Sequence, residues 1–387
     1  MSESTFLEKM LDGAEVDWKP LGEVFDVFAG GDVPKEALSK IKTEKFNIPI
    51  LSNGIGGRSL YGWTNIPKVK KPSLTISARG TIGWTSYRTE PFFPIVRLLV
   101  LTPKVEMNLR YYYHFMKTIE NDYKVAPAGI PQLTKPMIKD AQLPIPFPND
   151  PEKSLAIQAE IVRILDTFTE LTTELTTELT DRKKQYNYYR DQLLTFEDGD
   201  VEWKELGNVT EINTGQKPSE ILESATDFDY INAGTSRSGY SANSNCEGDI
   251  VTTPSRGQGG IGYVGYQKEP FWLGALCYKM KSKDKDFLIN KYLYYFLQSK
   301  SELLLGLKKE GGVPAVNKTD LAKLQIPVPS PSEQARIVAI LDKFDTLTHS
   351  ISEGLPREIE QRQKQYEYYR DLLLSFPKPE AQMEKVA

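Results

Sequence analysis

The chain has 387 residues, of which 40% are hydrophobic and 26% are charged, and these values are typical of soluble proteins with two or three domains. No apolar run approaches the ~18 residues of a membrane span, and the acidic start lacks the basic-then-apolar order of a secretion signal. The two cysteines, Cys246 and Cys277, argue against a disulfide framework or a structural zinc site. We therefore expect a cytoplasmic protein.

The net charge of −4 is unevenly distributed. Residues 31–139 carry 17 Lys and Arg against 7 Asp and Glu, whereas residues 151–214 carry 7 against 14 and residues 1–30 carry 2 against 7. A basic lobe on an acidic scaffold favours phosphate binding with a defined footprint. Residues 215–325, with 14 against 12, fit a random distribution of surface charge equally well.

Residues 201–376 repeat residues 16–196. VDWKPLGEV at 16–24 returns as VEWKELGNV at 201–209, and KQYNYYRD at 184–191 returns as KQYEYYRD at 364–371. The unit is too long for a solenoid repeat. We therefore expect two copies of a globular domain, each followed by a helical segment, a pseudo-twofold axis, and a partner with two similar but unequal sites.

Short strands bounded by Gly and Pro predict mixed α/β lobes. The predicted strands lie at 24–28, 74–77 and 81–87 in the first lobe and at 209–212, 249–253 and 262–266 in the second. Helices rich in Tyr and Phe are predicted at 108–118 and 290–300. Each lobe ends in a proline-punctuated exit, LPIPFP at 143–148 and IPVP at 326–329, and proline stiffens such an exit.

An apolar stripe at spacings of four and three predicts an amphipathic helix after each exit. Its members in the two copies are Ile161, Leu165, Phe168 and Ile337, Leu341, Phe344. No Pro or Gly interrupts residues 158–196, which would span ~58 Å as one helix. Gly354 and Pro356 predict a break in the later copy, with Pro356 near the first helical position.

Two long helices with one-sided apolar stripes, separated by a globular domain, pack most simply as an antiparallel coiled coil. The predicted fold class is therefore α+β, with two mixed α/β lobes joined by that coiled coil. The predicted parts are a helical stub (1–15), a first lobe (16–150), a central helix (151–198), a second lobe (199–330), a C-terminal helix (331–376) and a flexible tail (377–387). The stub resembles the end of the central helix, which would bring the chain ends together.

The tetrapeptide TELT occurs three times between Thr169 and Thr180. Filler in a solvated helix is one interpretation. The geometry suggests another, because four residues lengthen a helix by ~6 Å and rotate it by ~40°, whereas one base pair of B-DNA adds ~3.4 Å and ~35°. Such a repeat can set the gap between two DNA sites.

These features together resemble the specificity subunit of type I restriction–modification systems. The resemblance rests on the duplicated lobes, the proline exits, IVRILD at 161–166 and IVAILD at 337–342, the TELT repeat and the two KQYxYYRDxLL segments. It covers nearly the whole chain. The chain departs from the family's commoner TAEL tetrapeptide by carrying Thr in place of Ala.

The resemblance implies that each lobe is a target recognition domain that reads one half of a split, asymmetric DNA sequence. It implies a coiled coil that acts as a ruler and docks two methyltransferase subunits, with restriction subunits joining to form the nuclease. The residues assigned to the spacer are Thr169, Leu171, Leu175 and Leu179. Those assigned to methyltransferase docking are Tyr186, Tyr189, Arg190, Tyr366, Tyr369 and Arg370.

No catalytic or cofactor site is evident in the sequence. It contains no GxxxxGK[ST] phosphate loop, and the GQGGIG match at 257–262 precedes no helical pattern, so a turn between strands accounts for it better than a dinucleotide site. His114 and His349 are the only histidines and lie far apart in the sequence. We expect each to be a buried or solvated side chain rather than a metal ligand or a general base. We expect a non-enzymatic chain, with S-adenosylmethionine, ATP and magnesium bound by partner subunits.

Most candidate DNA contacts lie in loops that contain glycine, whereas Lys68, Lys70 and Lys71 form a basic cluster that either tracks phosphates or lies in a solvated loop. Arg79 and Arg256 occupy equivalent Arg-Gly turns, where Arg can hold a phosphate or the edge of guanine or can pair internally. The remaining candidates are Arg58, Lys68, Lys70, Lys71, Gly80, Gln132, Arg237, Ser255 and Gln258. A non-catalytic scaffold whose lobes bind peptides or RNA is the alternative from another functional class.

Overall fold

The computed structural model describes residues 15–123, 125, 130–197, 199–224, 228–257, 259–309, 313–350 and 352–376. The chain forms two units, which divide between Glu174 and Leu175 and again between Glu358 and Ile359. Unit 1 comprises the residues before the first point and after the second, and unit 2 comprises those between. Apart from Glu15, the predicted stub and tail lie outside the described residues.

The lobe of unit 1 is built from short strands and helices. They are β1 (Val16–Pro20), α1 (Leu21–Val24), β2 (Phe25–Ala29), β3 (Ile48–Leu51), β4 (Leu60–Thr64), β5 (Ser73–Ser77), β6 (Thr85–Arg88), β7 (Phe93–Pro94), β8 (Leu98–Pro103), α2 (Leu109–Thr118), α3 (Lys135–Lys139) and β9 (Gln142–Pro146), with 3-10 turns at Lys35–Ala37 and Gly56–Ser59. The strands form an antiparallel sheet in the order β2-β8-β5-β6, a smaller sheet β4-β3-β7 and the pair β1-β9.

One long helix, α4 (Pro151–Leu193), belongs to both units. Asp150 caps its start, because the side-chain Oδ1 accepts a hydrogen bond from Lys153 N at 3.0 Å, and a proline in the first turn has no amide hydrogen to satisfy. The predicted uninterrupted helix is therefore confirmed. It begins at Pro151, the predicted start, and ends at Leu193, before the predicted end at 198.

Unit 2 contains the second lobe and a further helix. Its elements are β10 (Glu202–Glu205), α5 (Leu206–Val209), β11 (Thr210–Thr214), β12 (Phe228–Ile231), β13 (Tyr240–Ser241), β14 (Ile250–Pro254), β15 (Gly265–Gln267), β16 (Trp272–Leu273), β17 (Cys277–Ser282), α6 (Asn290–Ser299), α7 (Ser301–Gly306), α8 (Lys318–Ala322), β18 (Gln325–Val328) and α9 (Pro331–His349). The sheets β11-β17-β14-β15, β13-β12-β16 and β10-β18 repeat the strand order of unit 1.

The last helix, α10 (Gly354–Leu373), follows a break after α9. Gly354 has φ +77°, which favours glycine, and a Cβ there would collide with the carbonyl oxygen of Thr346. The predicted break, with Pro356 close to the helix start, is confirmed.

The core of each unit extends from its lobe into the helices. In unit 1, Tyr112 of α2 shares a buried cluster with Leu165 of α4 and Leu373 of α10. In unit 2, Leu293 of α6 clusters with Tyr186 of α4 and Leu341 of α9. Because neither lobe buries its apolar face alone, each unit depends on its helices.

In each helix pair, the start of one copy's helical segment packs against the end of the other copy's helical segment. Phe168 of α4 stacks on Tyr369 of α10 with ring centroids 5.1 Å apart, and Phe344 of α9 stacks on Tyr189 of α4 at 5.7 Å. The segment IVxILD thus packs against KQYxYYRD from the other copy. The two-lobe, mixed α/β fold with paired long helices is confirmed.

Four strand predictions need correction at their ends, two in each lobe. Val24 belongs to the helical turn α1 rather than to a strand. Residues 81–84 form a turn, and β6 starts at Thr85, because Gly80 and Gly83 have φ of +77° and +86° and reverse the chain before the strand begins. In the second lobe, Val209 belongs to α5, and β15 starts at Gly265 rather than at 262. The predicted strands at 74–77 and 249–253 match β5 and β14 within one residue.

Candidate nucleic-acid interface

Three loops converge at one end of the four-stranded sheet of unit 1, around the turn that carries Arg79. The amide of Ala78 donates to the carbonyl of Arg97 at 2.9 Å, and Leu133 N donates to the carbonyl of Ala78 at 2.8 Å. The side-chain amide of Asn53 donates to the carbonyl of Arg79 at 2.5 Å. The backbone of the Arg79 turn is therefore fixed by its neighbours.

Polar side chains project from these loops. Arg79 is half-buried, and its Nε is buried with no hydrogen-bond partner among the described residues. Arg58, Arg97 and Gln132 are exposed. Gly80, at φ +77°, keeps the turn open to close approach, since any other residue would be strained there.

Unit 2 repeats the convergence around Arg256. The amide of Ser255 donates to the carbonyl of Leu276 at 2.9 Å, and Val316 N donates to the carbonyl of Ser255 at 2.9 Å. Leu276 N donates to Oδ1 of Asn232 at 3.0 Å. The two lobes thus share a frame of two backbone bonds, whereas the side-chain bonds of Asn53 and Asn232 differ. Arg256 is exposed in this frame.

Two further candidates of the second lobe have less access than the sequence suggests. Ser255 is buried, so the frame explains this serine better than a DNA contact does. Arg237 donates to Asp229 at 2.9 Å, and its guanidinium lies 4.7 Å from the ring centroid of Tyr240. A phosphate would have to compete with both partners. Gln258 lies outside the described residues.

The lysines Lys68, Lys70 and Lys71 are exposed but lie beside β7 rather than in the converging loops. Lys68 N donates to the carbonyl of Phe92, and its ammonium is 5.9 Å from the ring centroid of Phe93. The sequence placed these lysines and Arg79 in one candidate interface. The backbone bond of Lys68 runs to Phe92 rather than to the loops around Arg79.

The tyrosines of α2 and α6 pack in the cores of their lobes. Tyr111, Tyr112, Tyr292 and Tyr295 are fully buried. Burial raises the pKa of Tyr111 well above its ordinary value of 10.0. Base stacking by these rings is therefore not supported.

Both histidines have an environment expected from the sequence, since His114 is buried and His349 is about half exposed, but each has polar partners. His114, which is fully buried, contacts Oδ1 of Asp166 through Nε2 at 2.9 Å and the hydroxyl of Tyr366 through Nδ1 at 2.9 Å. Burial lowers the pKa of His114, although the hydrogen bond to Asp166 opposes this. His349 contacts Thr348 and Asp345. His114 thus acts as a neutral link between α2, α4 and α10.

The second unit uses different chemistry at the equivalent place. Tyr295 occupies the position of His114, and its hydroxyl donates to Asp342 at 2.5 Å. Lys291 replaces Arg110 and pairs with the same carboxylate at 2.9 Å. Sequence reasoning missed this network because its members lie in separate elements.

The tyrosines assigned to docking fall into two groups. Tyr186 and Tyr366 are buried in their own units, which favours a structural role. Tyr189 is 44% exposed and Tyr369 is half-buried. Arg190 and Arg370 are mostly buried and pair with Asp191 and Asp371 at 2.8 and 2.6 Å.

Two exposed tyrosines were missed by the sequence analysis. Tyr188 is 59% exposed and Tyr368 is 55% exposed. Each lies edge-on to the next tyrosine, with centroids 5.4 Å apart at Tyr189 and 5.3 Å apart at Tyr369. The signal was present in the sequence, because position i+2 on a helix points away from the apolar stripe.

A cleft of about 570 Å³ in unit 1 includes three of the assigned residues, Thr169, Tyr366 and Arg370. Lys117 lies in it, 3.5 Å from the ring centroid of Trp84 and 2.6 Å from the carboxylate of Glu120. The cleft thus combines an aromatic ring with an ion pair.

The TELT segment is regular helix throughout. Leu171, Leu175 and Leu179 are half-buried, and threonine hydroxyls donate to carbonyls four residues earlier, such as Thr172 to Phe168 at 2.8 Å. Because these bonds satisfy each hydroxyl locally, threonine is compatible with the helix here.

Comparison with known proteins assigns the family. A family model described as the type I restriction modification DNA specificity domain matches residues 15–182 and 199–361. The chain belongs to this family of type I specificity subunits. The identification made from the sequence is therefore confirmed, and the peptide or RNA scaffold is not supported.

Individual relatives agree over their full lengths. The specificity subunit of the type I restriction enzyme EcoR124I/EcoR124II from Escherichia coli is 38% identical over 98% of this chain and 99% of that protein. The putative type I restriction enzyme specificity subunit S.HindORF215P from Haemophilus influenzae is 33% identical over 96% and 98%.

Solved structures share the fold. The S subunit of a type I restriction–modification system from M. genitalium has a TM-score of 0.65 at 18% identity and covers 95% of this chain and 98% of that chain. A chain from a study of complex assembly and conformational transition of the type I system has a TM-score of 0.55 at 16% identity, over 93% and 97%. At these identities the likeness concerns the fold alone.

Neither a membrane-spanning helix nor a metal-binding cluster occurs among the described residues. No described helix is both long enough and apolar enough to cross a membrane. Within the same residues, no group of three or more His, Cys, Asp or Glu side chains is placed to hold a metal ion.

Proposed function

We propose that this specificity subunit reads a bipartite, asymmetric DNA target with one lobe on each half-site. The observation that carries the proposal is the repeated loop convergence, which fixes Arg79 in one lobe and Arg256 in the other within the same backbone frame. A fixed frame favours sequence reading, because hydrogen bonds to base edges require a side chain held in one geometry.

The side chains around the two arginines differ, and this supports an asymmetric target. Where the first lobe presents Arg97, the second presents Leu276 with the same backbone bond. Gln132 and Ala315 likewise correspond, because they precede the bonded residues Leu133 and Val316. Arg and Gln can contact guanine and adenine edges, whereas Leu and Ala offer apolar contact alone. Unlike readers are expected to select unlike half-sites.

We further propose that the chain is a non-catalytic subunit that docks two methyltransferase subunits, with restriction subunits completing the nuclease. In support, each helix pair exposes the same tyrosine pair, Tyr188–Tyr189 in unit 2 and Tyr368–Tyr369 in unit 1. Two equal surfaces suit two copies of one partner. S-adenosylmethionine, ATP and magnesium would then belong to the partner subunits.

The test is to map methylated positions across the genome of cells that express this chain with its methyltransferase subunit. We expect a two-part motif with a fixed gap. Arg79→Ala should relax or abolish selection at one half, and Arg256→Ala at the other half, because the loss of a bidentate base pairing costs about 1–3 kcal/mol of discrimination.

Lys104→Ala serves as the control, because it removes an exposed basic residue of the first lobe that follows β8 at the end opposite Arg97. It should change the motif less than Arg79→Ala does. If Arg79→Ala and Arg256→Ala both left the motif unchanged, the converging loops around these arginines would not be the loops that read DNA (the reading loops). If no discrete motif appeared for the unaltered chain, the proposed function itself would fail.

A further inference from the structure

A basic segment at residues 38–46 of unit 1, the lysine arm, lies along the outer edge of β4. Ser39 and Trp63 exchange two backbone hydrogen bonds, each of 2.8 Å, so the arm is anchored as a short extra strand. Gly62 permits this approach, since a Cβ there would lie 2.8 Å from the carbonyl oxygen of Ser39.

The lysines of the arm are exposed and stand over aromatic rings. The ammonium of Lys40 lies 4.2 Å from the ring centroid of Tyr61, and that of Lys42 lies 5.1 Å from the ring centroid of Trp63. Lys45 is also exposed. A ring beneath an ammonium restrains it while leaving its donors in water, so these charges are held in place and remain available.

The lysines of the arm form no ion pairs among the described residues. None of the ion pairs there includes Lys40, Lys42 or Lys45. Glu44 is the single acidic residue of the segment. The surrounding stretch, residues 31–139, carries 17 Lys and Arg against 7 Asp and Glu, which points to an anionic partner.

The equivalent segment of unit 2 has the opposite charge. There Leu222 forms a β-bridge with Tyr240, and Tyr240 lies in β13, which pairs with β12. In unit 1, Ser39 forms the same bridge with Trp63, which lies in β4 and pairs with β3. The residue after the bridge is Glu223, where unit 1 has Lys40. Ser238 stands where unit 1 has Tyr61. The backbone arrangement is kept in the second lobe, but the lysine and the ring beneath it are not.

We propose that the lysine arm binds backbone phosphates of the DNA held by the first lobe, a sequence-independent interaction that the second lobe lacks. The inference rests on the proposed DNA-reading function. Lysine on a flexible stem is suited to phosphates rather than to base edges, and the arm's backbone is occupied by its bridge to β4.

The arm lies close to the reading loops in the chain. Tyr61 follows the 3-10 turn that contains Arg58, and the same connection holds Asn53, whose amide binds the carbonyl of Arg79. The connection from β3 to β4 thus bonds to the Arg79 turn through Asn53, and β4, which follows it, pairs with the arm through Trp63. The arm and the loops around Arg79 therefore belong to one connected part of the lobe.

The test measures how binding depends on salt in the complex of the full chain with its methyltransferase subunits. The probes are a duplex with the mapped target and one with a scrambled sequence. For the variant Lys40→Ala/Lys42→Ala/Lys45→Ala, we expect the slope of log K against log salt to decrease by about 0.9 for each phosphate that is no longer neutralised, up to about 2.7. The affinity ratio between target and scrambled duplexes should stay within about twofold, because binding to phosphates carries no sequence information.

The charge-preserving variant Lys40→Arg/Lys42→Arg/Lys45→Arg should keep the slope of the unaltered complex. An unchanged slope in the alanine variant overturns the proposal, and a large loss of target preference also overturns it because the arm would then read bases. In both cases the unaltered complex still selects its target, so the proposed function stands. An unaltered complex that fails to discriminate between the duplexes would reject both.

Discussion

At the scale of single residues, the two lobes share their backbone bonds and differ in the side chains that these bonds position. Gln158 and Gln334 both accept a hydrogen bond from the amide that begins the adjoining lobe helix, at 3.0 and 2.8 Å. By contrast, Arg97 of the first lobe corresponds to Leu276 of the second, and Lys40 corresponds to Glu223. The glutamine amides keep the two lobes alike in structure, and the lobes differ in their exposed side chains.

Acidification is expected to destabilise the chain through His114. Its folded pKa is lowered from 6.5 by burial, so the unfolded chain takes up this proton more readily. The resulting stability is present above pH 6.5 and declines as the pH falls below it. Burial raises the pKa of Asp166, but hydrogen bonds from His114 and Arg110 outweigh it and hold this pKa below 3.8. The stability that the Asp166 carboxylate contributes is therefore lost only at more acidic pH, as the carboxylate is protonated.

Calorimetry of the full chain between pH 7.5 and 5.5 checks this expectation. The unfolding temperature should fall across this range, and His114→Gln, which keeps hydrogen-bonding capacity without a titrating group, should reduce the fall. His349→Gln is the matched control, because His349 is about half exposed. An identical pH dependence in His114→Gln and the unaltered chain would contradict the assignment.

At the scale of elements, α4 is the part whose length has a direct geometric meaning. Its TELT turns are regular, with leucines half-buried every four residues. Removing one tetrapeptide therefore preserves the apolar stripe, since Leu175 then takes the position of Leu179. The helix shortens by ~6 Å and rotates by ~40°.

Deletion of residues 177–180 should shrink the preferred gap between half-sites by about one base pair, because one pair of B-DNA adds ~3.4 Å and ~35°. Genome-wide mapping of methylation measures the gap directly. Replacing the same four residues by alanine controls for composition and should leave the gap as it was. A gap that does not respond to the deletion would rule out the ruler and favour filler.

Much of this element scheme could be predicted from the sequence. The apolar stripe, the TELT run and Gly354 predicted where helices begin, continue and break, because each is a local signal. The pairing of Phe168 with Tyr369 and of Phe344 with Tyr189 could not be assigned from spacing, since the partners lie about 150–200 residues apart. The same applies to the site: the Arg-Gly turns were visible, but Arg97 was not, because its place beside Ala78 arises through a hydrogen bond between strands.

At the scale of the whole molecule, each unit has its own exposed tyrosine pair. Tyr188→Ala should remove docking at unit 2, and Tyr368→Ala should remove docking at unit 1. Each single variant is then expected to retain one methyltransferase subunit, and the double variant none, because aromatic anchors commonly contribute about 2 kcal/mol or more to an interface.

Native mass spectrometry of the purified complexes counts the bound subunits. Glu174→Ala provides a control on the same helix, since its side chain is exposed outside the tyrosine pairs. Full occupancy in the double variant would show that docking takes place elsewhere, and the cleft beside Arg370 would become the next surface to alter.

The division of the chain has a consequence for biosynthesis. Unit 1 needs Tyr366, Leu373 and Phe376 to complete its buried cluster, and these residues leave the ribosome after all of unit 2. The later-encoded unit can therefore close first, while the earlier one waits with an uncovered apolar stripe on Ile161 and Leu165. During that interval the nascent protein is most exposed to aggregation, and a premature stop shortly after residue 358 would leave it in that state permanently.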